Sequence, residues 1–403
     1  MEMRPFLLDQ WLSRYQFASP PIEYDLASST GPRWTVRELL ALVDDDVRER
    51  LFDRPLYYAP PEGGAELREA IAAVVGVTAD DVRITTGASE ALWILLIDAA
   101  EAGANVVLPH PGFPTFGEAA QVLGLEVRQY HLRAESGFRI DLDEIRSRSD
   151  RRTKLILVNS PHNPTGAVIG DAELDELHDF TGERGIRLVV DEVYHPIYHG
   201  PAMPSASRLP GVTVLGDFSK AMCLSGLRLG WIVERDAARR VRYENARGYL
   251  TVSSSSPLGE ALGVIGVHNR DRILERAQRV TSANLRAMEP FFAEHAERIG
   301  WIPPRGGLTA WPWLRSGESS RPLCEAAAAR GVLLAPGDCF GAPCHFRIGF
   351  GAGGDDISKA VDRLSALLGA TLTSSPPSRR LSPAGARGAV GGRAERDRRP
   401  RRS

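Results

Sequence analysis

Lys220 and Arg228 stand eight residues apart in GDFSKAMCLSGLRLGW, residues 216–231. The chain holds three lysines, Lys154, Lys220 and Lys359, within a total of 49 Lys plus Arg. Arginine serves almost wherever a generic cation is needed, so a retained primary amine asks for chemistry that arginine does not do. A lysine at a sheet edge can form a Schiff base with a carbonyl, whereas a permanently charged guanidinium cannot. The bland alternative, a surface lysine left by chance, is the reading for Lys154 and Lys359. Three further segments carry groups of compatible chemistry. In TTGASEAL (85–92) a strand runs through Gly87, Ala88 and Ser89 into a helix, where free backbone N–H groups and the helix dipole favour an anion. In NSPHNPTG (159–166), Asn163 precedes a proline and cannot easily continue a helix, and Thr165-Gly166 makes a turn. In VVDEVYHPIY (189–198), Asp191 ends an apolar strand, where a carboxylate is costly without a partner. Each segment alone is weak. Many strand–Gly–helix turns bind nothing, NSPHNPTG reads as a strand-ending turn, and a core Asp is commonly held by a neighbour. Their shared address carries the weight, because open α/β sheets bind ligands beyond the carboxyl ends of their strands.

The elements that position these residues are legible as an alternating pattern. NVVLPH (105–110), KLILVNS (154–160), IRLVVDE (186–192), VTVLGD (212–217) and LGWIVE (229–234) read as buried strands. Amphipathic segments lie between several of them, such as DAELDELHDFTGERG (171–185), with Asp171 as its expected cap and Gly185 as its stop. The expectation is an α/β fold, a mostly parallel sheet covered by helices on both faces. After about residue 235 long helices give way to LTAWPWL (308–314), GVLLAP (331–336) and HFRIGF (345–350), which reads as a smaller α+β lobe. The expected division is 1–45 as an N-terminal segment packing with the small lobe, 46–275 as the large domain, 276–371 as the small domain and 372–403 as an Arg-rich disordered tail. The tail's arginines could touch a polyanion, but a solvated segment without a specific role is the preferred reading.

The whole chain of 403 residues is 43% hydrophobic and 25% charged with a formal net charge of −2. That balance gives no global signal for nucleic acid or an anionic membrane. Cys223, Cys324, Cys339 and Cys344 show no CxxC spacing, so neither a disulfide framework nor a structural zinc site is expected. No apolar run is long enough to span a membrane, since ALWILLIDAA (91–100) is short and broken by Asp98. The N-terminal residues have neither the apolar core nor the cleavage site of a signal peptide, so a cytoplasmic protein is expected. No G-x-G-x-x-G opens a helix after an early strand, which disfavours a dinucleotide-binding dehydrogenase. A non-catalytic or cofactor-sensing module is disfavoured too, because no DNA-binding helix pair precedes the domain.

Taken together and in order, these motifs resemble the class I/II aminotransferases, enzymes of the pyridoxal-phosphate fold type I, over about residues 20 to 370. The resemblance implies pyridoxal 5′-phosphate bound covalently to Lys220, with Asp191 pairing the pyridine nitrogen and Asn163 and Tyr194 bonding the ring oxygen. It implies that the turn Gly87-Ala88-Ser89 and Arg228 hold the phosphate, and that Phe113 in PHPGFPTF lies over the ring. It implies a homodimer with an amino acid as its small-molecule substrate, in which Tyr58 of YYAPPEGG (57–64) reaches the neighbouring subunit's cofactor, with Tyr57 as runner-up. Arg347 in CHFRIGFG (344–351) would bind the substrate carboxylate as a two-pronged fork, assisted by Asn163. In YDLASSTG (24–31) the substrate-facing residue is open among Ser29, Thr30 and Gly31, with Thr30 taken. One departure stands out: three residues before the lysine the family commonly has Ser or Thr, whereas this chain has Asp217. A carboxylate repels phosphate unless it pairs with Arg228 or turns away, and Ser219 is the alternative hydroxyl. Transamination is the expected reaction. LLDQWLSRYQF (7–17) and PRGGLTAWPWL (304–314) are also similar to the cyclising branch, which acts on a hydroxylated arginine by elimination and addition, so β/γ-elimination or replacement is the alternative.

Overall fold

The computed structural model describes residues 3–252, 255–352 and 357–373. A seven-stranded sheet is built from β1 (Val82–Thr85), β2 (Asn105–His110), β3 (Glu126–His131), β4 (Thr153–Asn159), β5 (Arg187–Asp191), β6 (Thr213–Asp217) and β7 (Gly230–Val233). Their order across the sheet is β1-β7-β6-β5-β4-β2-β3. Only β7 runs antiparallel to its neighbours β1 and β6, and the rest are parallel. The middle strands are apolar on both faces because both faces are covered. Leu155 and Leu157 pack with helix α2 (Gly87–Ala99), whereas Ile156 and Val158 pack with helix α4 (Asp171–Arg184), the two-residue alternation of a strand. Edge strand β3, EVRQYH, buries little beyond Tyr130. Its polar alternation hid it from a search for apolar runs.

α4 runs as expected to Gly185, whose φ of 64° ends it. Its start differs from expectation: Asp171 is the first helical residue and Gly170 the cap, with the Gly170 N–H donating to Glu173 Oε2 at 2.9 Å. Asp171 instead faces Arg208, at 3.2 Å.

The second lobe has shorter strands than its sequence pattern suggested. Thr309–Ala310 and Ala335–Pro336 flank Phe346–Gly349, both antiparallel to it. Pro312, which lacks an N–H, divides Thr309–Ala310 from Trp313–Leu314, and the latter pairs with Ile299–Gly300 instead. The N-terminal residues lie on this lobe. Tyr24–Asp25 pairs in parallel with Val332–Leu333, and the Trp11 indole of helix α1 (Leu7–Gln16) donates to the Leu334 carbonyl at 2.8 Å. The expected tail lies, from residue 374 on, outside the described residues. Among the described residues no helix is long and apolar enough to cross a membrane, and no group of three or more His, Cys, Asp or Glu is placed to hold a metal ion.

Candidate active site

Parallel strands bring their last residues to one edge. Asn159 of β4 sits opposite Asp191 of β5 in the register, and Asp191 opposite Leu215 of β6. The antiparallel turn-back from β6 to β7 pairs Asp217 with Gly230, so Lys220 and Arg228, both inside that loop, arrive at the same edge. Gly230 also pairs with Thr85, which sets the start of α2 beside the loop. The result is a cavity of about 190 Å³ lined by Thr30, Ala88, Ser89, Phe113, Asn163, Asp191, Tyr194, Ser219, Lys220 and Arg228. Gly87 stands behind it. Its φ is +75°, and a Cβ there would lie 2.6 Å from Arg228 Nη2. A Cβ on Gly230 would lie 2.6 Å from the Gly87 carbonyl carbon. Two glycines thus let a guanidinium and a helix N-terminus meet at one point, a setting for a phosphate. Arg228 itself holds a left-handed φ of 51°, and its Nη1 donates to Ser219 Oγ at 3.3 Å.

Asp191 and Asp217 are buried and Lys220 half-buried in this cavity, whereas Arg228 is exposed. Burial pushes the Asp191 carboxyl up to about 7; the Val193 N–H, donating to Oδ1 at 3.1 Å, pulls it back, and the Asp217 charge pushes it further. Burial brings the Lys220 amine down to about 8; the Asp217 charge resists this, and the Arg347 and Arg228 charges add to it. Lys220 Nζ donates to Ser29 Oγ at 3.1 Å. The Tyr194 phenol is pushed up to about 12 by burial, against the Arg347 charge and the Ser29 hydroxyl, and its oxygen has no partner of hydrogen-bond geometry among the described residues. Lys154, by contrast, pairs with Glu101 at the surface.

Arg347 lies in the central strand of the second lobe and is 2% exposed. Its Nη1 donates to Asn163 Oδ1 at 3.0 Å and its Nη2 to the Ala27 carbonyl at 2.6 Å. Among the described residues Nε has no partner, and the Asp25 carboxylate attracts the guanidinium without forming an ion pair with it. A buried cation without a paired counter-ion is costly, and an incoming carboxylate would relieve it. Asn163 thereby joins the second lobe to the cavity wall. Asn159 supports it, accepting from the Asn163 N–H at 2.8 Å and donating to the Asp191 carbonyl at 3.0 Å. Sequence reasoning passed over Asn159, although it opens NSPHNPTG and its strand position opposes Asp191. Ser29 and Thr30 both reach the site, Ser29 on Lys220 and Thr30 on the cavity wall. Phe113 borders the cavity and also an outer groove of about 360 Å³ beneath Phe6 and Phe340. Asp217 does not pair with Arg228; its Oδ1 accepts the Ser219 and Lys220 N–H groups. Tyr58 is not in this cavity. It is 70% exposed and Tyr57 75%, beside a groove lined by Pro257 and Val264.

These residues fit a pyridine ring that bears an aldehyde, a hydroxyl and a phosphate. There is an amine for the aldehyde, a carboxyl for the ring nitrogen, an unsatisfied phenol, and a glycine-lined anion turn closed by an arginine. Comparison with known proteins agrees. The chain is 33% identical over 370 residues to capreomycidine synthase of Streptomyces vinaceus, covering 90% of this chain and 93% of that one. A PLP-dependent aminotransferase from Streptococcus suis 89-1591 superposes with a TM-score of 0.85 at 24% identity, covering 92% of this chain and 99% of that one. The PLP-dependent cyclase OrfR superposes with a TM-score of 0.83 at 28% identity, covering 92% and 98%. The fold is that of the fold type I enzymes. The pattern of the family "Aminotransferase class I and II" matches residues 37–364, and the chain belongs to that family.

Proposed function

We propose that this chain is a pyridoxal 5′-phosphate enzyme that removes the Cα proton of an amino acid, with transamination as the outcome. Lys220 anchors the cofactor, Asp191 pairs with its ring nitrogen, and Asn163 and Tyr194 bond its ring oxygen. Gly87, Ala88, Ser89, Ser219 and Arg228 hold its phosphate, and Phe113 covers its face. Arg347, with Thr30 and Asn163, binds the substrate carboxylate. The observation that carries the reading is a half-buried lysine and a buried carboxylate lining one cavity with an unsatisfied phenol. When bound, the cofactor supplies an aldehyde for the substrate amine and a ring that takes up the electrons left at Cα.

The chain's own residues do the rest. A Lys220 amine brought down to about 8 accepts a proton near neutral pH and gives it up again, as a general base that becomes a general acid. Asp191, costly as a lone anion, becomes an ion pair once a ring cation stands beside it, which keeps that nitrogen protonated. Asn163 ties the substrate arginine to the cofactor wall. The active unit is a homodimer in which Tyr58 reaches the partner's site, a role that suits a tyrosine left exposed on its own subunit.

A second reading, β/γ-elimination or replacement with ring closure, is favoured by one observation: the similarity to capreomycidine synthase spans nine-tenths of this chain. A single experiment tests both. The parent protein should show a visible absorbance band that borohydride abolishes, and Lys220→Ala should lose the band, the reducible attachment and turnover. Incubating the parent with a panel of amino acids then decides the outcome. Conversion of the band to the amine form identifies transamination, and ammonia release with the band restored identifies elimination. Full activity in Lys220→Ala would end the reading.

A further inference from the structure

Asp217 ends β6 three residues before Lys220 and is 6% exposed. It lines the same cavity as Lys220 and Asp191. The register explains why: Asp191 pairs with Leu215, and Asp217 stands two residues further on the same face of the sheet. Its Oδ1 accepts the Ser219 N–H at 2.8 Å and the Lys220 N–H at 3.3 Å. Arg228 turns to Ser219 Oγ instead, at 3.3 Å. The carboxylate is thus directed into the lysine's own turn and away from an arginine assigned to phosphate.

The groups that bear on the Lys220 amine come from five places. Asp217 ends β6, Arg228 lies on the lysine's own loop, Asp191 comes from β5 and Arg347 from the second lobe, while Ser29 of the N-terminal segment supplies a hydroxyl. Burial and two guanidinium charges drive the amine toward its neutral form. Two carboxylates oppose them, and Asp217 weighs more than Asp191.

We propose that Asp217 is a positioning residue for Lys220, aiming the amine through its two turn bonds and holding a proton on the lysine nitrogen through its charge. The inference rests on the reading of Lys220 as the lysine that carries the cofactor. During turnover the Cα–H bond breaks, its proton passes to Nζ and the neutral amine becomes an ammonium. Asp217 stabilises that ammonium, so the proton stays until an acceptor takes it and the neutral amine returns. A serine or threonine at this position would carry no charge to stabilise it.

The test is a pH titration of the visible band of the holoenzyme, which reads protonation of the nitrogen at Lys220, with a thermal melt alongside. Asp217→Asn keeps an oxygen for both turn bonds and removes the charge. Asp217→Ser is a second neutral variant, and either one that folds decides the question. The titration midpoint should fall by about one pH unit in the neutral variants, with the melting temperature of Asp217→Asn near the parent's. A midpoint that stays in place or rises would overturn the proposal and leave Asp217 as a turn cap only. Absence of the band from the parent would overturn the cofactor reading, and this inference with it.

Discussion

Arg347 separates binding from chemistry. It meets Asn163 and a backbone carbonyl, and among the described residues Asp25 attracts its charge without forming an ion pair with it. Removing one partner of a desolvated charge pair costs about 2–5 kcal/mol, so Arg347→Ala should lose that much in kcat/KM, chiefly through KM, while the cofactor band is retained. Arg347→Lys keeps the charge but not the fork and should recover only part of it. Steady-state kinetics check this, and an unchanged KM in Arg347→Ala would remove the residue from the substrate site. At this scale, much of the site was legible in the sequence. Asp191 ends an apolar strand and Lys220 lies just past another, a contrast that the sequence pattern shows. Ser29 against Thr30 was not legible, since a one-residue difference in a loop changes no periodicity. Only the fold shows Ser29 on the amine and Thr30 on the cavity wall.

Among the elements, the junction of β1, β7 and α2 has the least room. A Cβ on Gly230 would meet the Gly87 backbone at 2.6 Å, and backbone yields less readily than a side chain. Overpacking of this kind costs about 1–3 kcal/mol, and it would fall on the anion turn. Gly230→Ala should therefore lower the melting temperature and release cofactor on dialysis. Gly117→Ala, half-buried on helix α3 (Thr115–Val122) with nothing within 4 Å of its Cβ, should be neutral or slightly stabilising. Equal cofactor retention in the two variants would contradict this account of the turn. The same elements mark the limit of sequence reading. The strands β2 and β4 to β7 were visible as apolar runs because both faces are buried, whereas β3 was hidden by edge exposure. The small-lobe strands were overextended in the reading because Pro312 and local pairing cut them. α4 was read correctly at Gly185 and one residue late at its cap, since Asp171 looks like a cap in any sequence window.

The largest scale is the assembly. Phe52, Leu56, Tyr57, Tyr58, Tyr249 and Val252 are exposed, and the Tyr57–Tyr58 pair borders the groove of Pro257 and Val264. Isolated exposed apolar residues need no explanation, but two exposed tyrosines packed together beside one groove favour a partner surface. In the proposed homodimer a two-fold axis means that each site takes Lys220 from one subunit and Tyr58 from the other. Lys220→Ala and Tyr58→Ala are then both expected to be poorly active alone. Mixed and allowed to exchange subunits, they form hybrid dimers with one intact site, because the Tyr58→Ala subunit still offers its lysine and the Lys220→Ala subunit its tyrosine. Random exchange makes about half the dimers hybrid, each with one working site of two, so about a quarter of the parent activity should return. Subunit exchange followed by assay measures this. If Tyr58 acted within its own subunit, every site would keep one defect and mixing would restore nothing. Active monomers at assay concentration would defeat the argument earlier, by removing the partner that Tyr58 requires.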